Sequence, residues 1–413
     1  MNRRKFLKGL GKTMALSSLP GLHSYAMSPS FYRHPHEEIF IFVFLRGGFD
    51  ALNFIAPMGD RYYAEARISG LKVSEKNGLP LKNRMDGWDF SIHPKAAALK
   101  ELYDSRQLAI IPACGLNNGT RSHFEAMDMI ERGLNQKNGT AKGWMTRYFD
   151  SIKHPGLLPA VALGNGLPTS FMDCRQAASI DQLKDYKIQG GANMHALLKG
   201  FYQGESTLLQ TGQKTFQTIE TIQQKISKNK EGQAKAYHPE HGVEYPDSWQ
   251  VKNFSSSLQQ LARLLKMNVG VHFAMLEYGD WDHHENQTYR FPQQLEGLSN
   301  GLAAFYNDMQ AYHSKMTLVV MSEFGRRLKS NRSGGTDHGH GGVAMVLGGN
   351  IKGGKLYGKW PGLATHQLDN GVDLNITTDY RSIFSEILVQ KLKTQRLDYI
   401  FPDFSHGNTL GFV

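Results

Sequence analysis

Between Thr317 and Val346 the chain reads TLVVMSEFGRRLKSNRSGGTDHGHGGVAMV, and no other stretch restricts the fold as much. The apolar run Leu318–Met321 is continuous rather than alternating, the pattern of a strand buried on both faces in a parallel sheet covered by helices. It delivers Ser322, Glu323 and Phe324 to the strand's carboxyl end. A basic, Gly-rich loop follows. Asp337, His338 and His340 then place one carboxylate and two imidazoles within four positions, before a second apolar run, Val343–Leu347. In open α/β sheets the crevice beyond the carboxyl ends of the strands is where ligands bind. A loop there that is dense in oxygen and nitrogen donors reads as a metal site.

The same construction recurs along the chain. Ile39–Leu45 (IFIFVFL) reads as a central strand that runs into Arg46-Gly47-Gly48-Phe49-Asp50. The two glycines allow a sharp turn and close approach of backbone to a ligand. Asp50, just past the strand end, reads as a metal ligand or as the cap of the next helix. Leu108–Ala113 is a second strand, and the turn over 115–120 leads to a helix over His123–Arg132. Ser122 is its N-cap, with Glu125 as capping-box partner. A hydroxyl at a helix N-terminus behind a Gly-rich turn is also where an anion is held and attacked, so Ser122 carries both readings. Val269–Leu276 is a strand followed by Asp282 and His284, which point the same way in extended chain and can bind one ion. Pro159–Leu163 is a further strand. Helices are expected at Ser255–Met267, Pro292–His313 and Asp379–Leu392, and another is opened by Pro94, with His93 structural at its start. From 181 to 247 the chain is polar, Gln- and Lys-rich and weakly helical, the composition of an insertion or cap. The expected class is α/β: a doubly wound, mainly parallel sheet flanked by helices, with a helical polar insertion at 181–247.

With 413 residues, 40% hydrophobic and 20% charged, the chain can bury a large core in one domain, 27–413. The first 26 residues stand apart. Asn2-Arg3-Arg4-Lys5-Phe6-Leu7-Lys8, a weakly apolar segment and Ser24-Tyr25-Ala26 resemble a twin-arginine signal. The mature chain is therefore expected to begin near Met27 and to be periplasmic or secreted, with the twin-arginine export machinery as a partner. No stretch approaches eighteen consecutive apolar residues, so no stable membrane insertion is expected. Of the 47 Lys and Arg, Arg3, Arg4, Lys5, Lys8 and Lys12 lie in the signal, which leaves 42 against 37 acids. That mild excess, without a basic repeat, argues against nucleic acid and suits a small anionic substrate. Cys114 and Cys174 are read equally as a disulfide of an oxidising compartment or as two buried thiols.

GGFDALN (47–53), TRSHFEA (120–126), GWMTRYFD (143–150), DWDHH (280–284), SEFGR (322–326) and GTDHGHG (335–341) together resemble the secreted family called domain of unknown function (DUF) 1501. The resemblance covers nearly the whole mature chain and implies an alkaline phosphatase-like fold, related to sulfatases. It also implies an exported metal-dependent hydrolase of phosphate or sulfate esters with Ser122 as nucleophile and Arg46, Arg121 and Arg326 beside the ester oxygens. Asp50, Asp282, His284, Glu323, Asp337 and His338, with His340 as a seventh contributor, form the expected ligand set for one or two divalent ions. Mixed oxygen and nitrogen donors favour zinc or manganese. Phe324 stands where the superfamily places a metal histidine, so His338 or His340 is expected to supply that nitrogen. Two other readings remain: a non-catalytic binding or assembly protein that keeps the fold and a structural metal, and a polysaccharide-binding protein, whose mark is an exposed aromatic groove.

Overall fold

Every residue of the first strand, β1 (Ile39–Leu45), is buried, and its alternation divides the molecule in two. Phe40, Phe42 and Phe44 enter a core with Trp144, Phe273 and Phe384, while Ile39, Ile41, Val43 and Leu45 enter the core on the other face. The rings of Phe42 and Phe384 meet edge-on at 5.3 Å, and Trp144 stacks on Phe384 at 5.0 Å. Such pairs add about 0.5–1.5 kcal/mol each beyond the burial itself. A strand apolar on both faces can be satisfied only between two layers, which is why the chain builds helices on both sides of the sheet.

The computed structural model describes residues 38–137, 139–152, 156–407 and 409–413. The expected export signal at 1–26 lies outside them. The further strands are β2 (Ile55–Pro57), β3 (Leu79–Pro80), β4 (Phe90–Ile92), β5 (Leu108–Gly115), β6 (Ala160–Leu163), β7 (Ala177–Ile180), β8 (Phe273–Tyr278), β9 (Met316–Ser322), β10 (Gly342–Gly348) and β11 (Thr378–Asp379). Eight form one sheet in the order β11-β5-β10-β9-β1-β8-β6-β7. β1 runs parallel to β8 and β9, β6 to β7 and β8, and β11 to β5, while β10 is antiparallel to both β5 and β9. The expected mainly parallel α/β sheet is therefore what the chain forms. The single reversed strand has a consequence for the site. Because β10 begins at the edge where β5, β9, β1 and β8 end, the loop over 323–341 both leaves and rejoins the sheet at that edge.

Several boundaries differ from the sequence reading. The strand expected at Val269–Leu276 is β8, which starts at Phe273. The helix expected from Pro292 begins a turn and a half earlier and spans Gln287–Asp308, with Pro292 inside it. A small sheet, β2-β4-β3, was not foreseen, because strands of two or three residues carry no readable period. Within 181–247 lie the helices Gly191–Phe201 and Thr207–Lys225, then an irregular run. That run is held by the buried Asp308 carboxylate, which accepts from Tyr237 Oη at 2.7 Å, Tyr245 Oη at 2.9 Å and the Glu240 N–H at 2.7 Å. Cys114 and Cys174 are both buried free thiols. Among the described residues no helix is long and apolar enough to cross a membrane.

Candidate metal centre

Four strand ends meet at one edge. At the end of β1, Gly47 has φ +118° and a Cβ there would lie 2.5 Å from the Asp282 nitrogen; at Gly48 (φ +72°) it would meet the Phe324 ring at 2.8 Å. The glycines therefore let β1 approach the loops after β8 and β9, rather than a ligand. Ser322, the last residue of β9, ties β1 to it, accepting from the Phe49 N–H at 2.9 Å and donating to Leu45 O at 2.6 Å. Glu323 is wholly buried, and its Oε1 accepts from the Gly47 N–H at 2.8 Å.

The same Oε1 lies 2.6 Å from His123 Nδ1 at the start of the helix after β5. His123 Nε2 faces His338 Nε2 at 2.9 Å and Asp282 Oδ2 at 3.5 Å, and the ligand atoms of these three residues lie within 4.8 Å of one another. His284 joins from the side, its Nε2 at 2.9 Å from His338 Nε2 and 3.0 Å from Asp282 Oδ1, which is also 3.0 Å from His338 Nε2.

The opposite nitrogens fix the tautomers. His338 Nδ1 lies 2.9 Å from the Arg121 carbonyl, His123 Nδ1 on the Glu323 carboxylate, and His284 Nδ1 3.2 Å from Asp337 Oδ1. All three partners are acceptors, so each Nδ1 carries the proton and each Nε2 turns a lone pair inward. Three imidazole lone pairs and a carboxylate aimed at one another repel unless a cation lies among them. An acceptor behind each histidine is the arrangement by which proteins orient metal-binding imidazoles. The donor set fits a divalent cation of the zinc class. Asp282 and His284 are 42% and 44% exposed, so the cluster opens to solvent on one side, as a site that admits a substrate must.

The electrostatics of Asp282 and His338 agree, whereas that of His123 favours its charged form. Burial raises the Asp282 carboxyl, but the hydrogen bond from Arg326 at 2.6 Å and that cation's charge outweigh it and hold the pKa at about 2. Burial lowers His338, helped by the nearby His123 and Arg326, which keeps it neutral as a ligand must be. For His123 burial is outweighed by Glu323 and Asp282, and the pKa rises.

The expected ligands divide into groups. Asp282, His284 and His338 come together, and Glu323 and Asp337 stand behind His123 and His284. Asp50 does not turn to the cluster: its carboxylate caps the helix Ala51–Phe54, pairs with both Arg67 terminal nitrogens, and accepts from Gln287 Nε2 at 2.6 Å. Arg67 supplies the positive charge that balances the buried Asp50 carboxylate. His340 is buried, with the charges of Asp369, Arg121 and Asp373 around it. Phe324 packs its ring against His123 at 4.8 Å and His338 at 5.1 Å.

Ser122 holds the N-cap position without a capping bond from its side chain, and Glu125 instead binds Thr120 Oγ1 at 2.9 Å and Lys137 Nζ at 2.6 Å. The expected capping box is therefore absent at this helix, because Thr120 and Lys137 take the carboxylate. Arg46 is held by Glu131 and Glu277, Arg121 by Asp369 and Asp373, and the buried Arg326 by Asp282 and Thr336 O. The sequence reading left out His123 as a ligand and Arg67 altogether. His123 had a signal, a histidine beside Ser122 in TRSHFEA; Arg67 had none, since it lies in no motif.

A family model described as protein of unknown function (DUF1501) matches residues 113–386, which include His123, Asp282, His284, Glu323 and His338. No curated protein matches the chain. Solved structures similar to it include a protein in the alkaline phosphatase superfamily from Vibrio parahaemolyticus (9% identity, TM-score 0.37, 78% of this chain and 63% of that one). Another is the C-terminal periplasmic domain of EcEptC from Escherichia coli (9%, TM-score 0.37, 91% and 89%). A third is alkaline phosphatase from the Antarctic bacterium TAB5 (11%, TM-score 0.30, 76% and 92%).

Proposed function

We propose, for a chain that belongs to the DUF1501 family, an exported metal-dependent hydrolase of phosphate or sulfate esters. The observation that carries the reading is the convergence of three Nδ1-anchored imidazoles on Asp282 at a solvent-open sheet edge. His123, Asp282, His284 and His338 would hold one zinc or manganese ion, with Glu323, Asp337 and the Arg121 carbonyl orienting the histidines. A cation bound there supplies polarisation of an ester oxygen and acidifies a coordinated hydroxyl or water.

Ser122 is the proposed nucleophile. It precedes the ligand His123 and its hydroxyl is not spent on capping the helix. Its Oγ would bond to phosphorus or sulfur as the bond to the ester oxygen breaks, and the hydroxyl proton would leave with the alcohol. Water would then cleave the serine ester and release phosphate or sulfate. Arg326, under Asp282, fixes that carboxylate as a ligand, and Arg121 positions His338 through its carbonyl. Export by the twin-arginine machinery, a periplasmic or secreted location, and the insertion at 181–247 belong to the same reading.

A second reading has one observation in its favour. Arg46, Arg121 and Arg326 are all paired with carboxylates, which suits a binding or assembly protein that keeps a structural metal without turnover. The two separate on one experiment: metal analysis of the purified mature protein beside a panel of phosphate and sulfate esters. Bound metal with ester turnover supports the hydrolase, bound metal without turnover supports the second reading, and absence of metal removes both.

A further inference from the structure

Beside the metal edge lie two adjoining clefts, the halves of a groove, that share Asn253, Ser257 and Glu277 in their lining. The first, about 640 Å³, lies past the ends of β6 and β8 against the helix Lys252–Lys266; the second, about 450 Å³, continues along Gln250, Asp280 and Gln293. Its outer part is lined by Trp249 and Tyr289, which are 85% and 69% exposed. Two large aromatic rings left in water at the rim of a polar groove mark a binding surface, because nothing among the described residues covers them. Amide, hydroxyl and carboxylate groups, among them Asn165, Gln182 and Asp181 in the first cleft and Asn253, Ser257 and Asp280 toward the second, line it together with apolar side chains such as Leu163 and Leu167.

This pairing selects a class of ligand. The C–H face of a pyranose ring is apolar and stacks on an aromatic face, while its equatorial hydroxyls bond sideways to amides and carboxylates. Asp181 and Asp280 are exposed, and Arg290 is the basic residue lining either cleft. A polyanion would be repelled. We propose that the groove is a glycan subsite that takes a neutral oligosaccharide and presents an ester on that sugar to the cluster. The groove adjoins the elements that carry the cluster: Asp280 lines it two residues before Asp282, and Glu277 lines it and pairs with Arg46, which also holds Glu131 on the helix that starts at His123. The presentation of an ester rests on the hydrolase reading; the sugar binding does not.

Calorimetric titration of the metal-loaded mature protein with cellohexaose, laminarihexaose and chitohexaose, and with a heparin hexasaccharide as polyanion, tests this. Saturable binding of at least one neutral sugar is expected, weakened about tenfold or more by Trp249→Ala and by Tyr289→Ala, with unchanged circular dichroism because both rings are exposed. His123→Ala should leave that affinity in place while removing metal and turnover. Binding by none of the neutral sugars, affinity unmoved by Trp249→Ala, or tighter binding of heparin would overturn the subsite. Trp249-dependent binding without hydrolysis of any ester would remove the hydrolase reading and leave the subsite standing.

Discussion

Glu323 is buried completely, and what makes a carboxylate tolerable there is the pair of donors that converge on it: the Gly47 N–H and His123 Nδ1. Glu323→Gln keeps the shape but weakens the acceptor behind His123, so metal affinity should fall about 10–100-fold, read by competition with a chromogenic chelator. Ser122 offers a cleaner separation of roles. With no capping bond to lose, Ser122→Ala should change stability by less than about 0.5 kcal/mol, against roughly 1 kcal/mol for a true cap, while abolishing turnover and leaving metal bound. Full activity in that variant would end the serine mechanism. Asp50 tests the electrostatics. Burial raises its carboxyl, but Arg67 and Gln287 outweigh burial and its pKa lies below the usual range. A carboxyl depressed on folding stabilises the protein above its unfolded pKa of about 3.9, and that stability is lost as pH falls through the folded value. Arg67→Met should therefore cost about 3–5 kcal/mol in urea unfolding at neutral pH and flatten the acid limb of stability below about pH 4.

At the scale of elements, the turn after β1 decides whether the site can form. Gly47 lies against the backbone of Trp281 and Asp282 at positive φ, so Gly47→Ala both strains its own backbone and pushes on the loop that carries two ligands. A loss of roughly 1–3 kcal/mol together with loss of metal is expected, whereas Gly87→Ala, where a Cβ meets nothing, should carry only the backbone cost. Equal metal content in both variants would show that the turn does not set the loop. The strands themselves were legible because β1, β5, β6, β9 and β10 are continuous apolar runs that end in turn residues. Short elements such as β2, β3, β4 and β11 are made by their neighbours. Two or three residues of backbone pairing have no sequence period of their own, so only the tertiary contacts define them.

At the scale of the molecule, the cluster joins loops after β5, β8 and β9, and a bound ion should hold the sheet edge together. Chelation of the native protein should lower the unfolding temperature, and re-addition of zinc in large excess over its Kd should restore about 4 kcal/mol. An unfolding temperature indifferent to chelator would mean that the cluster holds no ion. Export belongs to this scale too: replacing Arg3 and Arg4 with lysine should retain the full-length chain in the cytoplasm, and undiminished export after that change would remove the signal assignment.

The sequence alone determined which segments are buried on both faces, and hence a layered α/β molecule with a mainly parallel sheet. It also placed Asp282, His284 and His338 in loops after apolar runs, because a strand's end and a polar turn are both local features. It could not settle which donors share a point in space. Asp50 has the same local setting as Asp282, yet Arg67, from a helix end with no motif, claims it; His123 sits beside a serine that drew the catalytic reading, yet its ring is the one that meets Asp282 and His338. Ligand sets are decided by contacts between residues up to about two hundred positions apart, such as His123 and Glu323. That information exists only once the reversed strand β10 returns its loop to the edge where β5, β8 and β9 end.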